Sequence, residues 1–214
     1  MSAANNSENQ PTQDFWIYRH WPTLWGVLAV GSALALWLAF GDATFSQPYW
    51  YAWVLIPVAW AHEFEEYFIG NFWRWYNRTC FKSKEDFFPL TRQRAFVING
   101  SSAIPLVLQA FLISAFDFNA LTLFLLLTVH ANAWFHITYT VGEGRYSPGF
   151  WTSILLYLPL SVYGLYDLTI VTGAVTPLGF VVGFAVSLLA GFGLFGYLRR
   201  IAHSEPERLY PIHW

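Results

Sequence analysis

Residues 50–68 read WYAWVLIPVAWAHEFEEYF, an apolar run that closes on His62, Glu63, Glu65 and Glu66. Its length and composition predict a helix able to cross roughly 30 Å of hydrocarbon. Ionisable groups are expensive in that environment, so a cluster of them marks a candidate functional site. On a helix, Glu65 lies about 60° to one side of His62 and Glu66 about 40° to the other, whereas Glu63 is about 100° away. His62, Glu65 and Glu66 therefore share a face.

The rest of the chain has the same character. Of its 214 residues, 56% are hydrophobic, 21% aromatic and only 11% charged, and the mean hydropathy is +0.38. This is the composition of an integral membrane protein. Apolar runs at Leu24 to Phe40, Trp50 to Phe68, Ala95 to Phe116, Ala120 to Val141, Phe150 to Val171 and Pro177 to Leu198 predict an all-α, polytopic transmembrane bundle of about six spans. The short connection at Asp117 to Asn119 makes the third and fourth spans an antiparallel hairpin. The domain plan is a disordered polar tail over residues 1–20, a six-span membrane domain over residues 21–200 and a cytoplasmic tail over residues 201–214. Met1 to Gln13 lacks the basic, apolar and small-residue regions of a secretory signal, so the first apolar segment is expected to be retained.

Charge placement sets the expected topology. All 11 lysines and arginines fall on one side of the six predicted spans: Arg19, the group from Arg74 to Arg94, Arg145, Arg199, Arg200 and Arg208. That side is expected to be cytoplasmic, with both termini inside and the protein in the cell (inner) membrane. The same placement explains the basic residues without nucleic acid, which is excluded as a partner. Trp16, Trp21 and Trp25, then Tyr49 to Tyr51, then Phe72, Trp73, Trp75 and Tyr76 read as interfacial aromatic belts. The loop from Gly70 to Arg94 mixes aromatic and basic residues and is expected to form an amphipathic segment at the headgroups, or to cover an inward-opening cavity.

Polar groups on other spans converge on the depth of the opening cluster. Counted from the cytoplasmic ends, Glu66 lies roughly 3 Å in, Asn99 and His136 roughly 6 to 8 Å, His62 roughly 9 Å and Asn132 roughly 13 Å. Asn132 and His136 are four apart and share a face, as His62 and Glu66 do. Cys80 is the single cysteine, so metal ligands must be nitrogen or oxygen donors. His62, Glu65, Glu66 and His136 form a mixed set that suits zinc, iron or manganese. The plainer alternative is a polar network that locks two helices together, with Glu63 and Glu65 paired to Arg74 or Arg94; for Glu63, off the main face, that alternative is preferred. His130, about 120° round the helix from His136, reads as a hydrogen-bonded midplane histidine. Asp167, Gln109 and Asp117 read as packing or solvated groups.

Taken with the turn Arg145-Tyr146-Ser147-Pro148-Gly149, these residues resemble the HXXEE family of membrane proteins, named for a His-x-x-Glu-Glu motif. His62, Glu65 and Glu66 match the naming motif, His136 matches a second histidine within Asn132-x-x-x-His136, and Tyr146, Pro148 and Gly149 match a Tyr-x-Pro-Gly motif. The HXXEE-like core spans residues 50–172. The resemblance implies an enzymatic role without naming a substrate.

The favoured function is a membrane-embedded metal-dependent enzyme, a metallohydrolase or oxidoreductase, acting on a lipid or hydrophobic small molecule. His62, Glu66 and His136 are the expected ligands, with Glu65 as ligand or general base and Glu65, Glu66 and His136 at the chemistry. Asn99, Asn132, Tyr146, Pro148 and Gly149 are candidates for the substrate-binding or loop positions. Zinc or iron is the expected divalent cofactor, and no haem is expected. A version in which Glu63 is the base of a His-Glu-x-x-Glu protease motif ranks lower, because a histidine of the zinc-protease pattern is replaced. The competing class is a non-enzymatic proton- or cation-coupled carrier that uses the same carboxylates.

Overall fold

The computed structural model describes residues 15–211, so most of the predicted polar N-terminal tail lies outside the described residues. The architecture is all-helical; among the described residues the sole extended pairing is an antiparallel bridge between Ser83 and Leu209. Helix α1 (Trp16–Phe40) leads through a 3-10 turn (Gly41–Ser46) to α2 (Trp50–Phe64), which runs on into a π-helical turn (Glu65–Ile69). A short α3 (Phe72–Cys80) follows. Next, α4 (Arg92–Ile98) and α5 (Ala103–Phe116) are joined by a 3-10 turn at Gly100–Ser102. The Thr91 hydroxyl starts α4 by accepting from the Arg94 N–H at 3.1 Å. The long α6 (Ala120–Glu143) leads to a continuous helical run made of α7 (Phe150–Thr152), a π turn (Ser153–Tyr157), α8 (Leu158–Tyr166) and a second π turn (Asp167–Val171). The last helix, α9 (Pro177–Ser204), is capped by the Thr176 hydroxyl with proline in its first turn.

Among the described residues, five helical runs are long and apolar enough to cross a membrane: Trp16–Ser46, Arg92–Phe116, Ala120–Glu143, Phe150–Val171 and Pro177–Ser204. Their outward faces are apolar, with Val27, Val30, Leu34 and Leu38 on α1 and Leu178, Val181, Leu189 and Phe192 on α9 all exposed. The interior carries the polar groups, among them His62, Gln109, Thr122 and His136 at 0% exposure. A polar inside under an apolar outside suits lipid as the solvent. The run Trp50–Ile69 is equally helical but holds Glu63, Glu65 and Glu66.

Helix α2 packs against α1, α5 and α8, while α6 packs against α5, α8 and α9. The hairpin expected between the third and fourth spans is present: α5 ends at Asp117 in the left-handed region (φ 52°), and α6 starts at Ala120 and packs against α5. One core, built on Tyr51, Leu55, Ile113, Leu126 and Leu168, fills the bundle. A second joins Trp21, Tyr67, Phe72, Trp73, Phe81 and Leu90 beneath α3. Trp21, Tyr51, Phe72 and Trp73, expected in interfacial belts, are instead buried at 0%, 1%, 7% and 6% exposure. Tyr51 packs into the bundle core, whereas Trp21, Phe72 and Trp73 join Tyr67 where α1, α3 and the first π turn meet, with the Trp21 and Tyr67 ring centroids 4.8 Å apart.

Candidate functional site

Helices α2 and α6 do not touch closely along their backbones. Instead, α7 and the π turn after it pack against both, and long polar side chains bridge the gap. From α2 comes His62 and, from the π turn that continues it, Glu66, one above the other as the four-residue spacing requires. From α6 comes His136. His136 Nε2 lies 2.9 Å from Glu66 Oε1, and His62 Nε2 lies 3.4 Å from the same oxygen. The three side chains form a buried group whose donor atoms all lie within 4.8 Å of one another, so they could hold a metal ion.

The outer nitrogens of both imidazoles are engaged elsewhere. His136 Nδ1 is 2.9 Å from the Ser147 hydroxyl. His62 Nδ1 is 2.8 Å from the Thr152 hydroxyl, which itself donates to Glu65 Oε2 at 2.5 Å. With its proton committed to the carboxylate, Thr152 Oγ1 offers a lone pair, so His62 Nδ1 carries the hydrogen and Nε2 faces the group as a base. Asn132 Nδ2 donates to that Nε2 at 3.0 Å. His136 Nε2 is buried and meets the Glu66 carboxylate at 2.9 Å.

Glu65 faces away from the group. Its Oε1 accepts from the Tyr146 hydroxyl at 2.7 Å and the Trp151 N–H at 3.1 Å, and its Oε2 accepts from the N–H and hydroxyl of Thr152. Burial, followed by the Glu65 carboxylate, pushes the Tyr146 hydroxyl above its ordinary pKa and keeps it a donor. The start of a helix leaves N–H groups without intrahelical partners, and this carboxylate satisfies two of them.

The turn before α7 roofs the group. Gly149 has φ +93°, and a Cβ built there would stand 2.8 Å from His62 Cε1, 2.9 Å from Glu66 Cγ and 3.2 Å from His136 Cε1. Only glycine fits a backbone this close in this conformation. Pro148 presses on Gly70, where a Cβ would come within 2.4 Å of the proline Cβ. Tyr157 forms a wall by stacking on the His62 ring at 4.2 Å between centroids. Two π turns border the site, one carrying Glu65 and Glu66 and the other Tyr157.

The remaining candidates lie elsewhere. Asn99 donates to the Tyr67 hydroxyl, which is not part of the three-residue group. His130 bonds the Ser161 hydroxyl at 3.0 Å and accepts from Trp134 Nε1 at 3.1 Å. Asp167 accepts from the Tyr51 hydroxyl at 2.9 Å, and Gln109 ties α2, α5 and α6 together through Ala52, Leu106 and Thr122. Glu63 is 8% exposed and its Oε2 has no hydrogen-bond partner. The arginine partners considered for Glu63 and Glu65 are engaged otherwise: Arg74 approaches Asp86, and Arg94 donates to the Pro89 carbonyl. Ser147, Thr152 and Tyr157 did not stand out in the sequence, although a Tyr-x-Pro-Gly turn opening a helix is a signal for N–H groups that await an acceptor.

No curated protein and no solved structure matches the chain. A family model described as a protein of unknown function with HXXEE motif matches residues 53–164, the stretch that holds His62, Glu66, His136 and their roof. On that match over more than half its length, the chain belongs to the HXXEE family.

Proposed function

We propose that the protein is a membrane-embedded metal-dependent enzyme acting on a lipid or another hydrophobic small molecule, with His62 Nε2, Glu66 Oε1 and His136 Nε2 holding zinc or iron. The observation that carries this is the convergence of His62 Nε2 and His136 Nε2, at 3.4 Å and 2.9 Å, on one buried carboxylate oxygen, Glu66 Oε1. Two imidazoles and one carboxylate suit either metal and leave coordination positions open. Such a metal supplies Lewis acidity, or a water made nucleophilic near neutral pH.

The chain's own residues orient the ligands. Glu65 fixes the His62 ring through Thr152, and Ser147 fixes the His136 ring, the outer-shell arrangement common to metal-binding histidines. Asn132 sits where it can steer a group bound beside His62 Nε2. Gly149 and Tyr157 exclude water from the ligand faces. We place Trp50–Ile69 across the bilayer as a sixth helix, with the basic side and both termini cytoplasmic, on the strength of the one-sided lysines and arginines.

Elemental analysis of the detergent-purified protein tests this reading. Stoichiometric metal in the wild type and its loss in both His62→Ala and His136→Ala is expected. A metal-free wild type that is folded and retains its biological effect would overturn it. That outcome would favour a proton- or cation-coupled carrier, to which the unpartnered carboxyl of Glu63 is the pointer.

A further inference from the structure

An open cleft of about 630 Å3 lies beside the roof of the site, lined by Gly70, Asn71, Arg74, Trp75 and Arg78. Its volume is in the range of small-molecule sites. Arg74 and Arg78 are one helical turn apart and project from the same side of α3. The other side of α3 is anchored in the inner core by Phe72 and Trp73, so the arginines stand on a fixed support. Asp86 pairs with both, at 3.8 Å from Arg74 Nε and 3.0 Å from Arg78 Nε, and 65% of the Arg74 side chain remains exposed. Two cations against one carboxylate leave a net positive charge in the cleft. Gly70, part of its lining, is also the residue on which Pro148 rests, so one Pro-Gly layer separates the cleft from His62, Glu66 and His136.

We propose that this cleft binds the phosphate of a glycerophospholipid headgroup, with Arg74 and Arg78 as its cationic ligands. Guanidinium groups suit phosphate because their donors match its oxygens in pairs. Trp75 supplies an amphipathic ring at the level where headgroup meets acyl chain, and the apolar outer faces of the helices place lipid beside the cleft. Binding stands on the cleft alone. That the bound lipid is the substrate presented to the buried group rests on the enzymatic function proposed above.

The test is titration of the full-length protein in detergent with phosphatidylglycerol, read by native mass spectrometry. Diacylglycerol serves as the probe without phosphate, and glycerol 3-phosphate as the probe without acyl chains. Arg74→Ala and Arg78→Ala are each expected to weaken phosphatidylglycerol binding roughly tenfold. Asp86→Asn, which frees both arginines, is expected to tighten it. A role confined to holding the loop together predicts the opposite sign for Asp86→Asn, so weaker binding there overturns the proposal. Unchanged binding in both arginine variants, equal binding of diacylglycerol, or equal binding of glycerol 3-phosphate also overturns it. Lipid binding by a metal-free wild type would sink the enzyme and leave this site standing; a metal-loaded protein that ignores the lipid would do the reverse.

Discussion

Gly149 lies against His62 so closely that a single added carbon on the glycine would stand 2.8 Å from the imidazole Cε1, in a backbone conformation (φ +93°) that side chains rarely adopt. Two of the neighbours it would strike, His62 on α2 and Glu66 on the π turn after it, are buried. Gly149→Ala should therefore cost about 1–3 kcal/mol of stability from backbone strain and crowding. It should also lower metal content, measured by thermal unfolding and elemental analysis on the same detergent sample. A variant with wild-type melting and wild-type metal content would show that the roof is loose.

Thr152 stands between a carboxylate and an imidazole, at 2.5 Å from Glu65 Oε2 and 2.8 Å from His62 Nδ1. Thr152→Val keeps the shape and removes the hydroxyl. Metal affinity should fall about 10- to 100-fold, as for other lost outer-shell partners, while Thr152→Ser should restore it. Competition with a chelator of known affinity gives the number, and identical affinities for valine and threonine would refute the link.

Gln109 offers a contrast, because it is buried but remote in role from the metal group. Its Nε2 donates to Ala52 O at 2.6 Å and Leu106 O at 3.0 Å, and its Oε1 accepts from the Thr122 hydroxyl at 2.7 Å. Gln109→Ala takes the acceptor from the buried Thr122 hydroxyl and leaves a void between α2, α5 and α6, and should destabilise the fold by about 2–4 kcal/mol. Metal stoichiometry in the folded fraction should stay at the wild-type value, and its loss there would tie α5 to the site.

Cys80, at the end of α3, has its thiol pKa pushed up to about 12 by burial. A raised thiol pKa means less thiolate at any pH below it. At pH 8 the thiolate fraction should be about a thousandfold below that of a thiol at the ordinary value of 9.0. Maleimide labelling should accordingly be slow in the native protein and fast after denaturation. Equal rates in both states would show that the loop holding α3 opens readily.

The helical architecture and much of the buried His/Glu group were legible in the sequence for specific reasons. Helical periodicity and length mark the apolar runs, and the four-residue spacings of His62 with Glu66 and of Asn132 with His136 are local facts that survive folding. What periodicity does not encode is which residues arrive from far along the chain. Glu65 shares a face with His62 on an ideal helix, yet its partners Tyr146, Trp151 and Thr152 come from the opening of α7, and they turn it away from the imidazoles. The π turns were equally hidden, because they are set by tertiary contacts and not by propensity. Asn99 reached the expected depth but not the expected direction, and met Tyr67.

The Thr152 hydroxyl that orients His62 lies 90 residues further along the chain. During synthesis, then, α2 emerges with His62, Glu63, Glu65 and Glu66 well before α6 or α7 exists. A helix so charged is a poor passenger for hydrocarbon by itself. Its final seating has to await α6 and the Tyr146–Gly149 turn, because Glu65 and Glu66 gain their partners only when the later helices dock.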